Sequence, residues 1–215
     1  MSAADHSKQR IGASLKFALS QMTLPEEATK KVTSKMRLEA TLRTGASVSL
    51  ACTDVSSGRP YGCYGLYWVL SLKGGPTEDA MIKAGLHAAT SWSGPGLLSV
   101  TSHQMEKPSH VEVTPKSDPD GIAVDIVASM KRRALPLIAA FEQEPEQGAD
   151  LLLTGLPLKV RNPFTTTLLL LLRAQRRDRF ADVLAAAPNV PTFYDFAACA
   201  NPEELIVKPL LALFS

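Results

Sequence analysis

The feature that most constrains this chain is a set of apolar residues at every second position. Met36, Leu38, Ala40 and Leu42 alternate with Arg37, Glu39, Thr41 and Arg43. Successive side chains of a strand point to opposite faces, so this pattern marks a half-buried strand. Thr44-Gly45 breaks the run, and Ala46, Val48, Leu50 and Cys52 resume it against Ser47, Ser49 and Thr53. Two alternating runs around a short glycine-containing break predict an antiparallel hairpin. After the loop Ser56-Ser57-Gly58-Arg59-Pro60, the residues Tyr64, Leu66, Trp68, Leu70 and Leu72 alternate again. Here the other face carries Tyr67 and Val69. A strand apolar on both faces is central, or its second face is covered.

The period changes on either side of these runs. Ile11, Leu15, Ala18, Leu19 and Met22 share one helical face, and Pro25 with Glu26 and Glu27 reads as a further short turn. Gly74-Gly75-Pro76 ends the third strand. Thr77 is the expected N-cap of a second helix, with Glu78 and Asp79 in its first turn. Past the turn Ser93-Gly94-Pro95-Gly96, Leu98 and Val100 suggest a fourth strand, and Val111 and Val113 a fifth that forms a hairpin with it. Asp118 then caps a long amphipathic helix running through Phe141, with Pro119 in the first helical position and Pro136 inside. The acidic stretch Glu142–Asp150 contains proline and glycine and no large apolar residue, so it reads as a linker. It divides an α+β domain, 1–145, from a mostly helical region, 149–215. Within that region Phe164–Ala187 reads as two short helices meeting near Gln175–Asp178, followed by a last helix from Pro202 to Phe214.

Composition matters for what it excludes. Residues of the hydrophobic type make up 45% of the chain and charged residues 20%, with a formal net charge of +2. Intrinsically disordered chains are poor in apolar residues and high in net charge, so a packed core is expected. The charge is too small to mark a nucleic-acid binder, and nucleic acid is not an expected partner. Three cysteines cannot make a full disulfide framework, which points to a reducing cytosol. The polar N-terminus has no apolar run of the signal-peptide kind. The most apolar tract, Leu168–Leu172, is far shorter than the roughly 20 residues of a membrane span and reads as a buried helix segment. A soluble, cytoplasmic protein without membrane attachment is the expectation.

Few residues carry a chemical signature. Cys63, in Tyr61-Gly62-Cys63-Tyr64-Gly65, could serve as the nucleophile of a small cysteine hydrolase with His87 or His103 as base. No helix N-terminus or other activating feature lies next to it, and Gly62 and Gly65 are better read as shaping the entry to a strand. Cys52 shares the register of Leu50 and belongs to the core. His103 and His110 lack two further ligands at zinc-binding spacing, so neither a metal nor another cofactor is expected. Asp118, Asp120, Glu203 and Glu204 sit beside prolines as caps and dipole partners. Lys131-Arg132-Arg133 and Arg173, Arg176, Arg177 and Arg179 read as solvated helix faces.

The element order is helix, three antiparallel strands, helix, two strands, helix, with the glycine-rich break Ser93–Gly96 between second helix and fourth strand. Over about Ser7–Phe141 this order resembles the class I type III secretion chaperones, the Tir chaperone family. The resemblance implies a small cytosolic homodimer that uses no nucleotide and holds an extended, partly unfolded segment of a secreted effector along its sheet and helix surfaces. Family members are usually acidic and end after the third helix, whereas this chain is slightly basic and continues for about 65 residues. A few-stranded meander also has a physical reason to bind: its edges offer unpaired N–H and C=O groups to an added strand. Tyr61, Tyr67 and Val69 are the expected partner-binding residues, unless the C-terminal helices cover that face as core. The expected function is a stoichiometric protein-binding module, first a chaperone of a secreted bacterial effector. An immunity protein neutralising a toxin and the Cys63 hydrolase are the alternatives.

Overall fold

The computed structural model describes residues 3–33, 36–55, 59–60, 62–86, 96–105, 107 and 110–214. Helices and an antiparallel sheet follow one another as α1 (Ala3–Ser20), β1 (Glu27–Thr33), β2 (Arg37–Leu42), β3 (Ser47–Val55), β4 (Tyr64–Lys73), α2 (Gly75–Lys83), β5 (Leu98–Thr101), α3 (Ser102–Met105), β6 (Val111–Val113) and α4 (Pro119–Glu142). Then come α5 (Pro145–Leu153), β7 (Lys159–Val160), α6 (Pro163–Arg173), α7 (Phe180–Ala186), α8 (Tyr194–Ala197) and α9 (Lys208–Leu213). The protein is of the α+β class, as the alternating runs lead one to expect. No helix among the described residues is long and apolar enough to cross a membrane.

Two compact units interleave along the chain. The first comprises Met1–Arg43, Ser47–Ser71 and Val100–Pro136; the second comprises Thr44–Ala46, Leu72–Ser99 and Leu137–Ser215. These units do not coincide with a division into 1–145 and 149–215, because Glu142–Asp150 is not a linker. Glu142 ends α4, and Pro145 opens α5. The small residues there serve close approach. A Cβ on Gly148 would lie 2.7 Å from the Ala140 carbonyl oxygen and 3.2 Å from Leu170 Cδ1.

In the first unit β1 pairs with β2 and β2 with β3, the second pairing setting Leu38 opposite Leu50 and Ala40 opposite Val48. β4 lies beside β3 and carries β5 and β6 on its other edge. The fifth expected strand therefore does not form a hairpin with the fourth: β6 pairs with β4, Tyr64 opposite Val113 and Leu66 opposite Val111. Strand β1 replaces the short turn expected at Glu26 and Glu27, so four strands precede α2. Its sequence, EATKKVT, hardly alternates, and its residues are exposed or half-buried. The ladder to β2 holds this edge strand, and no apolar stripe announces it. One face of the sheet is dry. Leu38, Leu50, Leu66, Trp68 and Leu70 are buried there, with Ile11, Leu15 and Leu19 of α1 and Ile126 and Met130 of α4. Trp68 Nε1 donates to Ser129 Oγ of α4 at 2.6 Å, which satisfies a fully buried indole.

The second unit is built on α6. All ten residues from Pro163 to Leu172 are buried, as expected of a helix that is apolar on every side. Its three threonines find acceptors: Thr165 Oγ1 donates to Asp195, Thr166 Oγ1 to the Arg161 carbonyl and Thr167 Oγ1 to the Pro163 carbonyl. Helices α2, α5, α7 and α8 pack around it, and β5 and β7 pair through Leu98 and Val160. α2 starts two residues before the expected cap. Thr77 is buried inside its first turn and accepts a hydrogen bond from Arg173 at 2.7 Å.

Candidate functional site

Strand β4 decides where a site can lie in the first unit. Leu66, Trp68 and Leu70 point into the core, while Tyr67, Val69 and Ser71 between them are only half-buried. On β3 the same holds for Ser49, Ala51 and Thr53. The sheet thus has one dry face and one that meets solvent, a division open to antiparallel sheets. Tyr67 and Val69, two of the three expected binding residues, stand on the open face. Tyr61 lies outside the described residues.

Four groups gather on that face beside Tyr67. Its ring lies 4.5 Å from the His103 ring of α3, and the His103 and His110 rings are 6.1 Å apart. Arg59 holds Glu112 through two hydrogen bonds, Nε to Oε2 at 3.2 Å and Nη2 to Oε1 at 2.9 Å. His110 Nε2 lies 2.8 Å from Arg59 Nη2 and 2.6 Å from Glu112 Oε1. The hydrogen bonds from Arg59 and then His110 hold the Glu112 carboxyl well below the usual range, at about 2. Gly65 makes the cluster possible. A Cβ there would lie 2.7 Å from His110 Cδ2 and 2.9 Å from Arg59 Nη2. The sequence showed Gly65 as a strand-entry residue; its pairing opposite Glu112, which only the fold supplies, explains why nothing larger stands there.

Next to this cluster a cleft of about 610 Å³ runs along β6 and α4. Leu66, Trp68 and Ile126 supply its apolar wall, and Lys107, His110, Glu112, Asp125 and Arg132 its polar rim. Its size is that of an ordinary ligand site. Among the described residues the hydrogen bonds of His110 go to Arg59 and Glu112, and His103 stacks on Tyr67. Neither imidazole is hydrogen-bonded to the half-buried Cys63. His87 lies outside the described residues, as do Ser93–Pro95 of the glycine-rich turn. Cys52 is buried in the core, which pushes its thiol up to about 12. No group of three or more His, Cys, Asp or Glu that could hold a metal occurs among the described residues.

The basic residues sort into two kinds. Lys131, Arg132 and Arg133 are exposed on α4. Arg176 pairs with Glu146 and Asp178, and Arg179 with Glu146 and Asp150. Arg173, expected to share that solvated face, is instead turned inward. It donates to Thr77 Oγ1, the Phe141 carbonyl and the Glu142 carbonyl. It sits at the last turn of α6, where a cation meets the free carbonyls of another helix end. Glu142 accepts from Thr44 at 2.6 Å, and its other carboxyl oxygen is buried without a hydrogen-bond partner among the described residues. Burial pushes the Glu142 carboxyl upward, against the hydrogen bond from Thr44 and the charge of Arg173.

The protein is thus of the α+β class, and its first unit has a sheet with one dry and one half-exposed face and a cleft beside β6. Compared with protein-family models, curated proteins and solved structures, the chain matches none.

Proposed function

We propose that this chain is a stoichiometric protein-binding module whose partner lies on the open face of the first unit's sheet. The half-exposure of Tyr67 and Val69, on a strand whose alternate residues are fully buried, is the observation that carries this reading. An aromatic and a branched apolar residue on a solvent-facing sheet give a partner apolar area to bury. The neighbouring short strand β6 borders the cleft, and an extended segment can lie along such an edge by backbone pairing. The class I secretion chaperones hold their effectors as extended segments, and with the resemblance in element order we read this chain as a cytoplasmic chaperone of a secreted effector. An immunity protein blocking a toxin uses the same kind of surface. A homodimer, as in that family, is part of the proposal.

The test is co-purification with the product of an adjacent reading frame. The tagged chain should hold its partner at a fixed ratio. Tyr67→Glu and Val69→Glu should abolish the complex with unchanged circular dichroism. Cys63→Ala and thiol alkylation should leave it intact. A complex that survives both face substitutions counts against the site, and loss of function on alkylating Cys63 alone returns the hydrolase.

A further inference from the structure

A cavity of about 290 Å³ lies wholly within the second unit. Leu86, Leu205 and Ile206 give it apolar walls, the last two from the π-helical turn Glu203–Val207. Asp195 and Asn162 line it with polar groups. Asp195 Oδ1 accepts from the Phe164 N–H, and Oδ2 from the Thr165 N–H and hydroxyl. A carboxylate offers about four acceptor sites, so these three bonds leave Oδ1 room for another donor. No cation among the described residues forms an ion pair with Asp195. Burial pushes its carboxyl upward, against its hydrogen bonds, as expected where a carboxylate lacks a counter-charge. Asn162 is 5% exposed. Its Nδ2 donates to the Leu86 carbonyl at 2.7 Å and lies 3.9 Å from Met81 Sδ. Both are acceptors, which fixes the amide one way round. Its Oδ1 is left without a hydrogen-bond partner among the described residues.

Two side chains that line one cavity thus keep unused acceptors and no unused donor. Holding the start of α6 explains three bonds of Asp195. It does not explain why the carboxylate borders a void beside a second unpartnered acceptor. We infer that this cavity takes the primary ammonium of a small amine, its nitrogen against Asp195 and Asn162 and its alkyl chain along Leu86, Leu205 and Ile206. An ammonium carries three donors and no acceptor, so it matches this pair, whereas a carboxylate or phosphate would meet acceptors only. The N-terminus of α6 carries about half a positive charge. It offsets part of the Asp195 charge and leaves the rest to the ligand. The volume lies at the small end of ligand sites, which limits the occupant to a short chain. A free amine and the side chain of a peptide lysine share this chemistry. The site belongs to the second unit and does not depend on the partner proposed for Tyr67 and Val69.

The experiment is a nitrogen-15 NMR titration of the full chain with butylamine, butanol and butyrate, at neutral pH and fixed ionic strength. The Asn162 side-chain amide and the Leu86 and Thr165 amides should move saturably with butylamine. Butanol should bind at least about tenfold more weakly, the loss expected of one charge-assisted hydrogen bond, and butyrate should leave the signals in place. Ala198→Phe, at an exposed position on the cavity's rim, should abolish the butylamine shifts with unchanged circular dichroism. Asp195→Asn, which keeps one capping oxygen, should weaken butylamine at least about tenfold; where that variant does not fold, Ala198→Phe decides. A blocked lysine, Nα-acetyl-lysine methylamide, separates the sources: tighter binding than butylamine assigns a peptide lysine, weaker binding a free amine. Butanol bound as tightly as butylamine, no saturable shift, shifts that persist in Ala198→Phe, or unchanged affinity in a folded Asp195→Asn would each overturn the site. Failure to capture a partner at Tyr67 would sink the binding proposal and leave these readings untouched.

Discussion

Asp195→Ala should be among the most damaging substitutions in the second unit, although the residue looks like an ordinary polar position. Asp195 lies outside α6 and does the work of its missing cap. The residue in the cap position, Asn162, makes no capping hydrogen bond of its own. Asp195 Oδ1 accepts from the Phe164 N–H at 3.0 Å, and Oδ2 from the Thr165 N–H and hydroxyl, both at 2.9 Å. Phe164 and Thr165 are 0% and 2% exposed, so their N–H groups meet little water in the folded chain. A lost cap costs about 0.5–2 kcal/mol, and a buried donor left unpaired about 1–3 kcal/mol. Because the three bonds share one carboxylate, we expect a total of about 2–4 kcal/mol rather than the sum of separate bonds. For a chain of this size each kcal/mol moves the melting temperature by about 2–4 °C. Asp195→Asn keeps one acceptor oxygen but sets an amide donor against another donor, and should cost about half as much. Urea denaturation followed by circular dichroism, with equal slopes for the three proteins, measures these differences. A loss within about 0.5 kcal/mol for Asp195→Ala would refute the reasoning, because it would mean that α6 finds its acceptors elsewhere.

Two further outcomes follow from the same kind of argument. Gly65→Ala brings a Cβ to 2.7 Å from His110 Cδ2, so the ring and Arg59 must shift and loosen their hold on Glu112. The Glu112 carboxyl should then rise from about 2 by at least about one unit towards its ordinary value of 4.5, read by carbon-13 NMR; a carboxyl still at about 2 contradicts the geometry. Glu142 is pushed upward by burial. The folded chain therefore holds that proton more tightly than the unfolded one, and stability falls as pH rises from the unfolded value through the folded one. Glu142→Gln should flatten this decline at pH values above the ordinary carboxylate value of 4.5 in urea denaturation, and an unchanged pH dependence would show that another group is responsible.

The strands that a core defines were legible, and those that a ladder defines were not. Leu38, Leu50, Trp68 and Leu70 alternate because one face is dry, and their period showed through the sequence. β1 and β6 are held by backbone hydrogen bonds to β2 and β4, which leave no residue pattern, so β1 was missed and β6 was assigned to the wrong neighbour. Glu142–Asp150 was misread because small and polar residues mark a linker and a close helix contact equally well. Of the site, Tyr67 and Val69 were visible as an apolar second face. Arg59, His110 and Glu112 were not, since only the pairing of β6 with β4 brings residues 59 and 110–112 together. The inward turn of Arg173 left no trace either, because a buried arginine and a solvated one read alike.

The pairing of Leu98 with Val160 also bears on synthesis. These partners are roughly 60 residues apart, and closing so long a loop is slow. Leu97 and Leu98, fully buried once folded, leave the ribosome well before the strand that receives them. Until then they are a sticky stretch on a nascent chain, a target for general folding helpers and a seed for aggregation if translation stalls in that interval.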